Sequence, residues 1–277
     1  MDAQTLIFLH VPKTAGRTME LILERQYQLR EVYVARRREH DVILDDVKAC
    51  GLEPSEVKLF VGHMPFGLHA HLLQSCRYFT LLRDPVERVI SDYYFVRRNP
   101  EHRRHSKVVE EGLTLEDYLL RSVDARKDNE QTRQIAGAED GLGPSTSKML
   151  EIARNNLSTH FAALGLTERF DETLVLLRHV FGWKNLYYTR MNVTPGRPRQ
   201  EDHQAEILEL IRRYIQFDSA LYGYANQLFD ERIRQIPNFE QELQEFQARN
   251  RQIGGLITLY QRIMNKGRSI LGLETAG

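Results

Sequence analysis

The stretch Leu6-Ile7-Phe8-Leu9-His10-Val11 constrains the fold most, because it is apolar without alternation and runs straight into Pro12-Lys13-Thr14-Ala15-Gly16-Arg17-Thr18. An unalternating run of this length predicts a strand buried on both faces, as in a parallel sheet. Met19, Ile22, Leu23 and Tyr27 follow at helical spacing, so a helix is predicted to start near residues 16–18. A strand, a small-residue turn with lysine and hydroxyls, and a helix N-terminus together offer N–H groups and positive charge to one spot. That spot suits an anion, phosphate above all. The turn is not a nucleoside-triphosphate P-loop, which needs two glycines before its lysine; His10-Val11-Pro12 stands there instead.

Two further runs share this design. Leu59-Phe60-Val61 ends in Gly62-His63, and Tyr78-Phe79-Thr80-Leu81-Leu82 ends in Arg83-Asp84-Pro85. Asp84 as N-cap and Pro85 as first helical residue predict a helix start. Val86, Val89, Ile90, Tyr93 and Tyr94 give that helix its buried stripe, and Ser91 lies about two turns in. Lys13, His63 and Arg83 each follow a buried strand, and open α/β sheets bind ligands outside the carboxyl ends of their strands. Taken singly, each has an ordinary structural reading: a solvated lysine, a satisfied histidine, an arginine paired with a nearby carboxylate. Their order and spacing favour a shared cleft.

Val11-Pro12-Lys13-Thr14-Ala15-Gly16-Arg17-Thr18 resembles the 5′-phosphosulfate-binding loop of sulfotransferases that use 3′-phosphoadenosine 5′-phosphosulfate (PAPS), in the branch that includes the heparan sulfate 2-O-sulfotransferases. The phrase from Arg83 to Phe95 resembles that family's 3′-phosphate-binding segment, and Gly62-His63 resembles the setting of the 2-O-branch's catalytic base. That branch often carries a second histidine where this chain has Val61. The resemblance covers residues 5 to 230 and implies a three-layer α/β fold with a central parallel sheet and a P-loop-like turn. It implies PAPS as co-substrate, with Lys13, Thr14, Ala15, Gly16, Arg17 and Thr18 at the 5′-phosphate and Arg83 and Ser91 at the 3′-phosphate. His63 would be the base, with His10 the first substitute, and no metal is called for. Asn129-x-x-Thr132-Arg133 is similar to a cleft-lining segment, which makes Arg133 a secondary candidate. Thr194 and Arg197 belong to a loop that corresponds loosely to the family's adenosine cover. The implied acceptor bears a hydroxyl, on a saccharide, glycolipid, small metabolite or peptide. Two rivals stand beside this reading: a nucleotide kinase or phosphohydrolase using Asp84 for magnesium, and a non-catalytic nucleotide-binding relative.

Lys plus Arg and Asp plus Glu both number 38, so the formal net charge is zero, which argues against a general nucleic-acid binder. The 277 residues suit one large α/β domain, expected over 1–237, with a helical extension over 238–277. Cys50 and Cys76 have no metal-ligand spacing and read as free thiols of a reducing compartment. The resembling eukaryotic enzymes carry an N-terminal membrane anchor. Here the first strand starts within six residues of Met1 and no run of about 18 apolar residues occurs, so a cytoplasmic protein is expected.

Residues 30–46 and 97–107 read as charged, solvated stretches, the second close to the cleft. Residues 113–121 and 147–160 read as helices, Leu186-Tyr187-Tyr188 as a last strand, and 201–236 as helix broken near Phe217-Asp218. In the tail, Ile253, Leu256, Ile257, Tyr260, Ile263 and Met264 recur at helical spacing, with Gly254-Gly255 near the start of the stripe and Gly267 after it. They predict a short helix of about three turns. Its basic flanks leave three uses open: packing on its own domain, forming a homo-oligomer, or resting on an anionic membrane.

Overall fold

The computed structural model describes residues 4–36, 39–121, 128–138, 143–189 and 198–270. Strands β1 (Thr5–Leu9), β2 (Val32–Ala35), β3 (Leu59–Gly62), β4 (Cys76–Leu82) and β5 (Phe161–Leu166) form one parallel sheet in the order β2-β3-β1-β4-β5. Every residue of β1 and β3 is buried, as expected for strands covered on both faces. The chain starts at the central strand, builds one side with β2 and β3, then crosses to add β4 and β5. The topological switch therefore lies at β1. Leu9 stands level with Gly62 on one side and Thr80 on the other, which brings the carboxyl ends of three neighbouring strands together.

The helices are α1 (Gly16–Leu23), α2 (His40–Ala49), α3 (Pro85–Arg98), α4 (His105–Glu110), α5 (Leu115–Arg121), α6 (Glu130–Ala136), α7 (Ser147–Thr159), α8 (Phe170–Phe181), α9 (Ala205–Tyr214), α10 (Gln216–Arg234) and α11 (Phe239–Ile270). The main core joins the sheet to Met19 and Ile22 of α1, Ile43 and Val47 of α2, Leu174 and Leu177 of α8, and Leu221 and Phe229 of α10. A second core forms where Val89, Ile90, Tyr93 and Val96 of α3 meet Leu115, Tyr118 and Leu119 of α5 and Ile211 of α9. Asp84 caps α3 by accepting from the Glu87 N–H at 2.9 Å, and Pro85 opens the helix, as its sequence predicts. One stripe of α3 is thus anchored in a core, which leaves another stripe for the cleft.

Several expectations are corrected. Residues 30–46 are not one solvated stretch but carry edge strand β2 and the start of α2. Residues 97–107 are the end of α3, a turn and the start of α4, and Arg104 pairs with the buried Asp92 at 3.4 Å. Among the described residues, Leu186 to Tyr188 pairs with no strand and instead packs irregularly on the core. The break after α9 falls at Ile215, before Phe217-Asp218. The tail is one 32-residue helix, not a short unit bounded by glycines. Its first half belongs to the main core through Phe239 and Phe246. Glu242 meets Arg178 at 2.7 Å and Asn250 accepts from the Tyr188 N–H, so this half packs on its own domain. Among the described residues, no helix is long and apolar enough to cross a membrane.

Candidate active site

The turn after β1 is built from unusual backbone. Lys13 and Ala15 both have left-handed φ values, 71° and 65°, although neither is glycine. Such residues cost about 1–2 kcal/mol each and concentrate where a ligand is held. The buried Thr14 hydroxyl closes the turn by donating to Val11 O at 2.7 Å, so its oxygen braces the loop. Successive N–H groups of such a turn, with the N-terminus of α1 behind them, make an anion-binding concavity. Gly16 begins α1 under the ring of His10. A Cβ there would lie 1.6 Å from His10 Nε2, so only glycine fits. Arg17 pairs with Glu20 at 3.2 Å, and Thr18 is buried. The Lys13 ammonium sits 3.6 Å above the centroid of Phe95, a cation–π contact.

Arg83 reaches the same turn, its Nη1 donating to Lys13 O at 3.1 Å. It also faces two carboxylates: Glu87 Oε2 at 3.2 Å from Nη2, and Glu168 Oε1 at 3.8 Å from Nε. Glu87, Ser91 and Phe95 are spaced i, i+4, i+8 and so share one face of α3. One end of that stripe touches Arg83 and the other touches Lys13. Ser91 therefore lies between the two cations, where a serine hydroxyl can serve a phosphate oxygen.

His63 follows β3 and is exposed. Its Nδ1 lies 2.7 Å from His10 O. A carbonyl only accepts, so Nδ1 carries the proton and the neutral ring keeps its lone pair on Nε2, the form a general base needs. The His10 ring leans on His63 with centroids 4.3 Å apart and is itself buried. Burial, reinforced by the charges of His63 and Lys13, holds the His10 pKa well below the usual histidine value. Glu20 Oε1, 3.7 Å from His10 Nδ1, does not offset this. A buried neutral ring behind Gly16 cannot meet an acceptor, so His10 is not placed to be the substitute base; it braces His63 and the loop.

The residues that sequence reasoning missed lie on α6, where every position from Asn129 to Ile135 is buried. Gln131 brackets the Arg83 backbone, accepting its N–H and donating to its C=O, both at 3.0 Å. Gln134 Nε2 donates to His10 O at 3.0 Å and Met64 O at 3.1 Å, and Gln134 O accepts the Phe66 N–H at 2.8 Å. Asp218 seats this helix, accepting from Thr132 N and Oγ1 at 2.7 and 2.8 Å, while burial raises its pKa against those bonds and Arg88. Arg133 is buried, with Nε 2.8 Å from Asp128 Oδ1 and Nη2 donating to Gly143 O. Its guanidinium is used internally and not presented to a ligand. Thr194 and Arg197 lie outside the described residues. The run of five polar residues from Glu130 to Gln134, with an apolar residue only at Ile135 and Ala136, lacks the usual stripe, and that was the one available signal. Among the described residues, no three His, Cys, Asp or Glu side chains are placed to hold a metal ion.

The structure thus brings Lys13, Gly16, Arg83, Ser91 and His63 to one edge of the sheet. Comparison with known proteins agrees in kind. Residues 1–225 match the family described as the sulfotransferase family. The chain is 26% identical to heparan-sulfate 6-O-sulfotransferase 2 of Danio rerio, over 90% of this chain and 62% of that protein. It is 23% identical to galactose-3-O-sulfotransferase 2 of Sus scrofa, over 91% and 68%. With heparan-sulfate 6-O-sulfotransferase 2 of Homo sapiens the identity is 26%, over 82% of this chain and 45% of the relative. The chain therefore spans less than two thirds of both heparan-sulfate relatives.

Proposed function

Because the chain belongs to the sulfotransferase family, we propose that its cleft transfers a sulfuryl group from PAPS to a hydroxyl of a saccharide. The observation that carries this reading is the convergence of a strained lysine turn, an arginine bonded to that turn, and an outward histidine at the level ends of adjacent strands. The residues fit a doubly phosphorylated nucleotide. Lys13 and the N–H groups of the turn and α1 would hold the 5′ end, and Arg83 with Ser91 the 3′-phosphate. PAPS, when bound, supplies the activated sulfuryl group on a good leaving phosphate. Catalysis then rests on positioning and charge. Lys13 neutralises negative charge growing beside its ammonium, and the planar Arg83 fork suits a phosphate better than a point charge would. His63 takes the acceptor hydroxyl's proton on Nε2 while its Nδ1–H stays on His10 O. Because Arg83 already faces Glu87 and Glu168, a phosphate must share or displace those carboxylates.

The saccharide acceptor rests on the named relatives, which act on heparan sulfate and galactose. Incubation with PAPS and a panel of oligosaccharides, read by mass spectrometry, should show products that gain one sulfo group. His63→Ala should lower turnover by about 10²–10⁴ while binding of 3′-phosphoadenosine 5′-phosphate (PAP) survives. Magnesium-dependent phosphorylation from ATP with no sulfo transfer would overturn the reading in favour of a nucleotide kinase.

A further inference from the structure

Helix α6 buries five polar side chains in a row, Glu130 to Gln134, beside a single core residue, Ile135. Its side-chain amides reach the backbone at the ends of the three strands that carry the site. We propose that Gln131 and Gln134, three residues apart on α6, are positioning residues, one aligning the cofactor arginine and the other the base. This rests on the sulfotransferase reading above.

Gln131 acts at β4. By pairing with both the N–H and the C=O of Arg83, it makes the bonds a neighbouring strand would make, past the last ladder residue of the sheet. The backbone of Arg83 is thereby fixed, and with it the origin of the guanidinium that reaches Lys13 O. Gln134 acts at β1 and β3. Its amide nitrogen joins His10 O to Met64 O, and His10 O is also the acceptor that dictates the His63 tautomer. The Gln134 backbone carbonyl then takes the Phe66 N–H, tying down the chain just after the base. Gln134 Oε1 is itself buried without a hydrogen-bond partner. A buried polar atom left unmatched is costly, so the amide is held for what its nitrogen does. Spacing three apart puts both amides on one side of the helix, so one rigid element registers the two halves of the cleft.

Two near-isosteric substitutions separate this from general structural support. Gln134→Met removes the donor to His10 O, and Gln131→Met removes the bracket on Arg83. Histidine ring nitrogens are read by NMR on the full-length protein, PAP affinity by calorimetry, and turnover with PAPS against pH. For Gln134→Met, the His63 Nδ1–H tautomer should lose population and turnover should fall by about 10²-fold, the usual cost of a misplaced reacting group, with PAP affinity within about threefold of wild type. For Gln131→Met, PAP affinity should fall by about tenfold, matching the loss of a bonded pair, with the His63 tautomer unchanged. The opposite assignment, or the same loss in every readout for both variants, overturns the proposal. If either variant fails to fold, Gln134→Leu and Gln131→Leu repeat the comparison, since each is close in size and removes the donor. A wild-type protein that binds PAP and shows the Nδ1–H tautomer but transfers nothing would sink the sulfotransferase reading alone. The tautomer and affinity readouts would still decide the positioning roles.

Discussion

The two ends of the cleft proposed to hold the phosphates are made in opposite ways. At the Lys13 end the grip is backbone: two left-handed non-glycine residues, a braced threonine, a glycine with no room for a methyl, and a helix N-terminus. At the Arg83 end the grip is side chain: a guanidinium poised between two glutamates, with a serine one turn further along α3 from Glu87. Backbone grips are rigid and fail when geometry changes. Side-chain grips are tunable and fail when charge changes. The first kind should therefore break in stability and binding together, and the second chiefly in binding.

The largest effect should come from Gly16→Ala. The new methyl overlaps the His10 ring, and that ring has Phe8 on one side and His63 on another. Overpacking of this kind costs about 1–3 kcal/mol, and the displaced ring disturbs the base as well. A lowered melting temperature together with lost PAP binding is expected. Calorimetry showing normal affinity would mean the loop yields more easily than its backbone suggests.

Arg83→Ala should weaken PAP binding by about ten- to a hundredfold, the worth of a charge-assisted hydrogen bond. It should lower the melting temperature less than Gly16→Ala does, since it removes the bond to Lys13 O and the two glutamate contacts without pushing a methyl into the loop. A drop in stability comparable to that of Gly16→Ala would erase the distinction between the two ends. The same titration with AMP should show weak binding to both proteins, because the arginine has no use for a nucleotide lacking a 3′-phosphate.

Much of this was legible in the sequence, for a physical reason. Strands covered on both faces cannot alternate, so β1, β3 and β4 announce themselves, and whatever follows them lands at one edge. Strand β2 was hidden because an edge strand is only half-covered; Val34 is 57% exposed and charged residues flank it. Leu186 and Tyr188 misled in the other direction, being apolar because they pack on the core while forming no ladder. The glycine pair in α11 read as a helix end. In fact the helix runs straight through them, and a Cβ on Gly254 would make only ordinary contact with Thr189 and the Tyr188 carbonyl at 3.6 Å, so the packing there does not demand glycine. The resemblance marked the α6 segment only through Arg133; its glutamines stayed invisible because they speak to backbone, and backbone contacts leave no pattern in sequence.

Acid should expose the Lys13 end before the Arg83 end. His10 is held well below its usual pKa by burial, with His63 and Lys13 adding to it, and His69 is lowered by burial and by neighbouring His160, His40 and His71. Unfolding lets each imidazole take a proton near pH ~6.5 that the folded state refuses. Stability is then full above that value and falls as pH drops, by up to about 1.4 kcal/mol per pH unit for each group. Thermal melts between pH 8 and pH 5 at roughly constant ionic strength should show this slope, and His10→Asn should flatten it. A slope unchanged by that substitution would assign acid sensitivity to the His69 cluster instead.

The smallest effect, and the sharpest test of strain, is Ala15→Gly. Ala15 has φ 65° and ψ 24° at the residue before α1, where its Cβ crowds the following carbonyl. Glycine removes that crowding and is a better N-cap than alanine, but it gives up a half-buried methyl and adds about 0.4–1 kcal/mol of unfolded-state freedom. The balance should be a gain of about 0.5 kcal/mol, read as a melting temperature raised by a degree or two. PAP affinity should stay within about twofold, because the N–H groups keep their directions. A clear loss of stability would show that the methyl's packing outweighs the backbone strain. In that case the left-handed turn would be held by its contacts with the core, and the contrast between a backbone-built and a side-chain-built end would soften accordingly.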